Sequence, residues 1–244
     1  TFRPSESVTA VLESVIHGHA TFGVVPLETS SDGAITATLN GLVSTDAKLC
    51  AERIVPQRYQ LLSQSGEAAQ VLKIYGSPQA ISACERQLRS RYPDAILVDV
   101  QSGEAAAHFA LGDDQSAALG SPLLNELHAL KLIDDHLEND SAVRTRFGIV
   151  GNRLPSRTGQ DRTMIAIAPG DDPGALHRAL RPLADREINL TRIESRPAQN
   201  AEWRHLFFLE MDGHITDRAI LTAVEELRRI VRYAKVLGSY PRPS

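Results

Sequence analysis

The feature that most constrains the fold is an alternation of short apolar runs with helix-spaced segments along 244 residues. Val8, Val11, Leu12, Val15 and Ile16 recur at helical spacing behind Ser7 and before Gly18, which predicts an amphipathic helix with a serine N-cap and a glycine stop. Phe22-Gly23-Val24-Val25-Pro26-Leu27 is wholly apolar, the composition of a strand buried on both faces of a parallel sheet. Helical spacing resumes at Ala34, Ile35, Leu39, Leu42 and Val43. Strand-like stretches at 71–75, 95–100, 116–119 and 147–150 then alternate with helix-like ones at 79–91, 104–111 and 123–130. Such alternation implies α/β layers around a mostly parallel sheet.

Residues 152–161, Asn-Arg-Leu-Pro-Ser-Arg-Thr-Gly-Gln-Asp, are polar, lack an apolar period and read as a linker. Beyond them the order is strand 163–168, helix 174–185, strands 189–195 and 205–211, helix 217–230 and a last strand near 234–237. This β-α-β-β-α-β order in about 75 residues is the ferredoxin-like plan, with two helices on one sheet face and the other face left for a partner.

Composition narrows the function. With 26 basic and 30 acidic side chains the net charge is −4, so no global basic field holds nucleic acid or an anionic membrane. No apolar run reaches the roughly 20 residues of a membrane span, and the first residues lack a signal peptide's apolar core; a soluble cytoplasmic protein is expected. Cys50 and Cys84 are too few for a disulfide framework and read as reduced core residues. The eight histidines show no metal-ligand spacing, and neither a GxGxxG nor a Walker loop occurs, so neither a metal nor a nucleotide enzyme is expected.

Ligands of doubly wound sheets sit beyond the carboxyl ends of strands, at the starts of the following helices. Three junctions have that composition: residues 25–33, where Glu28, Thr29, Ser30, Ser31 and Asp32 leave a strand toward a helix; Gly76-Ser77-Pro78-Gln79; and Gly120-Ser121-Pro122. The last two place a serine as N-cap before a proline at the first helical position. Three such junctions favour a small anionic ligand over plain capping. Residues 140–147 set Ser141 and Thr145 among Arg144 and Arg146 before an apolar strand, and arginine suits bidentate carboxylate recognition. In the second part, Asp172-Pro173-Gly174-Ala175-Leu176 forms a strand-to-helix turn, and 188–197 carries Asn189 into a strand. The Gly174 turn lets a small zwitterion approach closely.

These residues match a known pattern. From about Ser7 to Pro241 the chain resembles prephenate dehydratase with a C-terminal ACT domain, on Val25-Pro26-Leu27-Glu28 with Ser30 and Gly33, Tyr75 with Pro78-Gln79-Ala80, and Thr145-Arg146-Phe147. The ACT part matches at Gly174-Ala175-Leu176, Asn189-Leu190-Thr191 and Glu194-Ser195-Arg196-Pro197, and Gly238-Ser239-Tyr240-Pro241 resembles the family's ending. The resemblance implies a periplasmic-binding-protein-like (type II) two-lobed catalytic domain over 1–151, a linker at 152–161, and a ferredoxin-like ACT regulatory domain over 162–241. It further implies conversion of prephenate to phenylpyruvate, water and carbon dioxide without a cofactor, L-phenylalanine as allosteric inhibitor, and a homodimer or homotetramer.

By the same resemblance the catalytic residues are Thr145, Arg146 and Phe147. Thr145 polarises the leaving hydroxyl, and Arg146 either anchors a carboxylate or orients its loop. Glu28, Thr29, Ser30, Ser77 and Ser121 are expected to line the substrate. Gly174, Ala175, Leu176, Asn189, Leu190, Thr191, Glu194 and Ser195 are expected to hold phenylalanine. The chain departs from the family pattern in three places. Nothing in it matches the family's N-terminal strand and Gly-Thr-Phe-Ser-type loop, position 29 is Thr where the family has Asn, and Gly76-Ser77-Pro78 stands for Ser-His-Pro. Two alternatives follow: a sister enzyme acting on arogenate or another prephenate analogue, and a catalytically silent phenylalanine sensor.

Overall fold

The computed structural model describes residues 2–31, 33–139, 143–197 and 205–243. Asp32, and Asp140 to Ala142 with Ser141, lie outside the described residues. In chain order the elements are α1 (Val8–Ile16), β1 (Gly23–Thr29), β2 (Gly33–Ala34), α2 (Thr36–Ser44), β3 (Lys48–Pro56), β4 (Gln60–Ser63), β5 (Lys73–Gly76), α3 (Pro78–Arg91), β6 (Ile96–Asp99), α4 (Gly103–Leu111), β7 (Ser116–Gly120), α5 (Leu123–His128), β8 (Lys131–Asp134) and β9 (Arg144–Gly151). They continue as β10 (Asp161–Ala168), α6 (Ala175–Ala184), β11 (Leu190–Pro197), β12 (His205–Asp212), α7 (Arg218–Ile230) and β13 (Tyr233–Pro241). Compactness divides the chain into one unit of Thr1–Val55 with Thr145–Ser244 and a second of Pro56–Arg144.

The second unit is a five-stranded sheet in the order β6-β5-β7-β4-β8. Only β6, β5 and β7 are mutually parallel, while β4 runs antiparallel to both β7 and β8. The mostly parallel sheet read from the alternation is therefore a mixed one. Strand pleating sends neighbouring residues to opposite faces. Leu61, Ala117 and Leu119 accordingly join Cys84 and Leu88 of α3, whereas Leu62 and Ala118 join Ala106, Ala107 and Ala110 of α4. Helices on both faces explain why every residue of β7 is buried.

The first unit is built on an eight-stranded sheet, β11-β12-β10-β13-β3-β9-β1-β2. Its β10 to β13 portion has the ferredoxin-like order, with β10 antiparallel to both β12 and β13. Ile165, Ile167, Leu209 and Met211 pack beneath α6 and α7 against Ala179, Leu183, Ile220, Val224 and Leu227. The opposite face is not left for a partner: Met164, Ala166, Phe208, Leu237 and Tyr240 form one core with Leu12 and Val15 of α1 and Leu39 and Leu42 of α2. Each fully buried leucine there contributes about 1.5–3 kcal/mol, so the chain itself covers this face. The two sheet portions join where Gly238 of β13 pairs in parallel with Leu49 of β3. A Cβ on Gly238 would lie 2.4 Å from Leu49 Cβ and 2.6 Å from its carbonyl oxygen, so only glycine permits the approach.

Two further local readings are corrected. β1 is antiparallel to β9, and Phe22 and Val24 are 61% and 54% exposed, so this apolar run is not buried on both faces. The segment after β1 does not enter a helix directly: Thr29 pairs with Gly33 in a hairpin to β2, with Gly33 at φ 76°. The polar stretch before β10 is pinned. Asn152 Nδ2 donates to Val15 O at 2.9 Å, and the amides of Thr158 and Gly159 donate to Asp161 Oδ2, each at 2.9 Å.

Candidate active site

β1 and β9 bring two of the sequence motifs together. Their antiparallel register sets Thr29 opposite Thr145, Glu28 opposite Arg146 and Pro26 opposite Phe147, with an irregularity between Pro26 and Glu28. Residues directly opposite have Cβ atoms about 4.5–5.5 Å apart. Thr145 is 4% exposed, and its Oγ1 is buried without a hydrogen-bond partner among the described residues. Leaving a buried hydroxyl unpaired costs on the order of 1–3 kcal/mol, so this oxygen is a group for which an external acceptor or donor is a gain. Thr29 Oγ1 lies 3.3 Å from Ser31 Oγ, Ser30 is exposed, and Phe147 is half-buried.

Arg146 points to the other side of β9, as pleating requires. It is 6% exposed and donates from Nε to Glu52 Oε2 at 2.5 Å, from Nη1 to Glu210 Oε1 at 2.9 Å, and from Nη2 to Glu210 Oε2 at 3.0 Å and the Tyr240 hydroxyl at 3.1 Å. Glu28 Oε1 stands 3.7 Å from Nη1. Arg162 Nη1 completes the cluster at 2.7 Å from Glu52 Oε1. Burial opposes the Arg146 charge, but Tyr240, Glu210 and Glu52 outweigh it and hold the guanidinium above its ordinary pKa. Burial, then the Glu210 charge, pushes the Tyr240 phenol well above its usual range, so it stays protonated. Glu28 pairs with Arg192 of β11, and Arg192 also faces Glu194 at 3.7 Å.

In the second unit, Ser77 and Ser121 line a cavity of about 370 Å³ with Tyr59, Ser102, Glu104 and Leu127. It lies beyond the carboxyl ends of β5 and β7. Ser77 caps α3 and accepts from Ala80 N at 3.2 Å, with Pro78 at the start, as expected. Ser102, which sequence reasoning missed, caps α4 through Ala105 N at 3.1 Å; a serine just before a helical period was a readable signal. Ser121 is no N-cap. Pro122 occupies that position before α5, and the Ser121 carbonyl instead accepts from Leu124 N at 3.0 Å. Helix geometry leaves the amides of Gly103 and Glu104, on the cavity wall, without intrahelical acceptors, so with the serine hydroxyls this cavity can hold an anion. Glu104 puts a carboxylate on its wall and faces His128 Nε2 at 3.9 Å.

The expected phenylalanine-binding residues fall into two groups. Gly174, at φ 78°, precedes α6, with Ala175 buried and Leu176 half-buried. Asn189, Leu190 and Thr191 follow the other end of α6: Asn189 Nδ2 donates to Asp212 Oδ2 at 3.0 Å, and Thr191 Oγ1 to Glu210 O at 3.3 Å. Glu194 accepts from Arg196 Nη2 at 3.1 Å, and Ser195 is exposed on β11, the outermost strand of its sheet. Both cysteines are free and buried, and burial pushes the Cys84 thiol up to about 12, which removes it as a nucleophile. Among the described residues no cluster of three or more His, Cys, Asp or Glu side chains has metal-holding geometry.

Comparison with known proteins bears on these residues. A model of the prephenate dehydratase family matches residues 1–154, and a model of the ACT domain matches residues 163–229. The chain is 32% identical over 241 residues to the bifunctional chorismate mutase/prephenate dehydratase of Aquifex aeolicus, covering 99% of this chain and 67% of the relative. It is 34% identical over 241 residues to the prephenate dehydratase of Mycobacterium sp. (strain JLS), covering 98% and 76%. The chain spans about two thirds of the length of the bifunctional relatives it matches. The crystal structure of prephenate dehydratase in complex with L-Phe from Arthrobacter aurescens superposes with a TM-score of 0.89 at 33% identity, over 98% of this chain and 81% of that one. With the family model spanning most of the chain and relatives this similar along nearly all of it, the chain belongs to the prephenate dehydratase family and carries an ACT domain after the catalytic one.

Proposed function

We propose that the chain is a prephenate dehydratase. Prephenate carries two carboxylates and a ring hydroxyl. The bond between the ring and its carboxylate breaks, its electrons enter the ring, the ring C–O bond breaks, and phenylpyruvate and carbon dioxide result. The departing hydroxyl leaves as water after gaining one proton. The observation that carries this reading is the Thr145 hydroxyl, buried and unpartnered among the described residues, within the Thr145-Arg146-Phe147 stretch by which the chain resembles its family. Threonine is too weak an acid to give up its proton outright. A hydrogen bond from Thr145 Oγ1 to the leaving oxygen instead stabilises the charge that develops there, an effect worth about 10²–10³ in rate for one such donor. Taken by itself, the second unit's cavity offers donors suited to a carboxylate in Ser77, Ser102, Ser121 and the helix-start amides. Thr29 and Ser30 are further candidates for substrate contact. Incubating the purified chain with prephenate should yield phenylpyruvate and carbon dioxide in equal amounts; no product would refute the assignment.

L-phenylalanine is the proposed feedback ligand, supported by the L-Phe complex named above. Gly174 and Asn189 flank α6 at opposite ends, and its 10 residues span about 15 Å, farther than one free amino acid reaches. A second copy of the chain is therefore proposed to supply the other half of each phenylalanine site. The outermost strand β11, with Ile193 49% exposed, suits such pairing. Light scattering should report a dimer or tetramer whose population rises with L-phenylalanine, and a monomer at all concentrations would refute this. Among the described residues no helix is long and apolar enough to cross a membrane. With free buried thiols and a small soluble substrate, the cytoplasm is the proposed site of action.

A further inference from the structure

The buried cluster around Arg146 joins strands that the sequence separates widely. Arg146 lies on β9, Glu52 on β3, Glu210 on β12 and Tyr240 on β13. Glu210 falls within the ACT match; both of its carboxylate oxygens accept from the Arg146 guanidinium, and Arg162 Nη1 stands 3.8 Å from Oε2. Nε, Nη1 and Nη2 of Arg146 each donate inside the chain, at 2.5 to 3.1 Å, and the group is 6% exposed. A guanidinium so occupied is poorly placed to grip a substrate carboxylate. It is well placed to fix the backbone of β9, and the preceding residue, Thr145, presents a hydroxyl unpartnered among the described residues from the opposite face of that strand.

We infer that Glu210 and Tyr240 are positioning residues for Thr145: by clasping Arg146 from the ACT side they set where the Thr145 hydroxyl stands. The inference rests on the prephenate dehydratase reading for its kinetic test and on the fold alone for its second test. Displacing a reacting group by about 1 Å can cost on the order of a hundredfold in rate, so a clasp of this kind acts on turnover rather than on binding. Arg146 itself then acts through Thr145 and does not touch the substrate.

The test compares three variants of the full chain. Tyr240→Phe deletes one oxygen and keeps the ring, Glu210→Gln keeps the shape and removes the charge, and Ser239→Ala deletes an equally buried hydroxyl one residue away, bonded to Thr163 Oγ1 at 3.0 Å instead of to Arg146. With prephenate, Tyr240→Phe should lower kcat about ten- to a hundredfold with KM within about twofold, the size of one lost hydrogen bond to a charged group. Glu210→Gln should lower kcat further, and Ser239→Ala should leave it at the wild-type value. Hydrogen exchange of the β9 amides should quicken in Tyr240→Phe and not in Ser239→Ala. Unchanged kcat in both Tyr240→Phe and Glu210→Gln, an equal loss in Ser239→Ala, or a raised KM at constant kcat overturns the inference. If the wild-type chain makes no phenylpyruvate, the substrate reading fails instead, and unaltered β9 exchange in Tyr240→Phe still overturns the clasp. Should Glu210→Gln fail to fold, Tyr240→Phe carries the test by itself.

Discussion

Two polar regions of this molecule differ in one physical respect. Around Arg146, in the first unit, nearly every charge has a partner: Glu52 has no exposed side-chain surface and meets both Arg146 and Arg162, while Glu210 meets Arg146 through both oxygens. The cavity of the second unit holds hydroxyls and helix-start amides around open volume, with few internal acceptors to take them up. The first is a closed account of charge and behaves as part of the core. The second has donors to spare, and donors to spare are what an anion needs. Polar residues in a sequence point equally to both, so composition does not separate a ligand site from a structural clasp. The number of partners already made does.

The largest test of this contrast is Arg146→Met, which leaves Glu52 and Glu210 buried with Arg162 alone. Stripping one partner from a buried pair costs about 3–5 kcal/mol, and thermal melting of a chain this size should fall by about ten degrees. A shift under about two degrees would mean the cluster is exchanging charge with solvent. In the cavity the effect moves from stability to binding: Ser77→Ala combined with Ser102→Ala should cost about 1 kcal/mol per lost cap and raise KM for prephenate severalfold. An unchanged KM would remove this cavity from substrate binding.

The smallest test is pH. Burial works against the Asp161 charge, but the Thr158 hydroxyl and the Thr158 and Gly159 amides hold its carboxyl below the usual range. A group depressed in the folded state stabilises it fully above the unfolded pKa, about 3.9 for aspartate, and the contribution drains as pH falls through the folded value. Melting temperature should drop more steeply below about pH 4 in the wild type than in Asp161→Asn, and equal slopes would contradict the assignment.

Much of this fold is legible in the sequence. Ser7 with Gly18 and Ser77 with Pro78 announce their helices because capping is local chemistry, and both caps are made. Locality also explains the errors. Ser121-Pro122 repeats the letters of Ser77-Pro78, yet there the helix begins one residue later and the serine side chain caps nothing. β3 is hidden from an apolar pattern because Glu52 occupies a core-facing position that such a pattern would fill, and its reason for being buried, Arg146, is 94 residues away. The ACT-side sheet face was expected to await a partner because nothing in 161–241 reveals that α1 and α2, at the other end of the sequence, already cover it. Among the candidate residues, the Thr145 stretch and Ser77 are readable as motifs. Glu52, Glu210 and Tyr240 are not, since an isolated acid or phenol in a strand carries no sign of its distant partner.

The central claim is that a single buried hydroxyl on β9 lowers the barrier to loss of water and carbon dioxide from prephenate. It is tested most directly by steady-state turnover of prephenate by Thr145→Val, a near-isosteric change, alongside Thr145→Ser, which keeps the oxygen. The account predicts a fall in kcat of about 10²–10³ in the valine variant, with a much smaller fall in the serine variant and the fold intact in both. Valine and wild-type enzymes turning over at similar rates would contradict it.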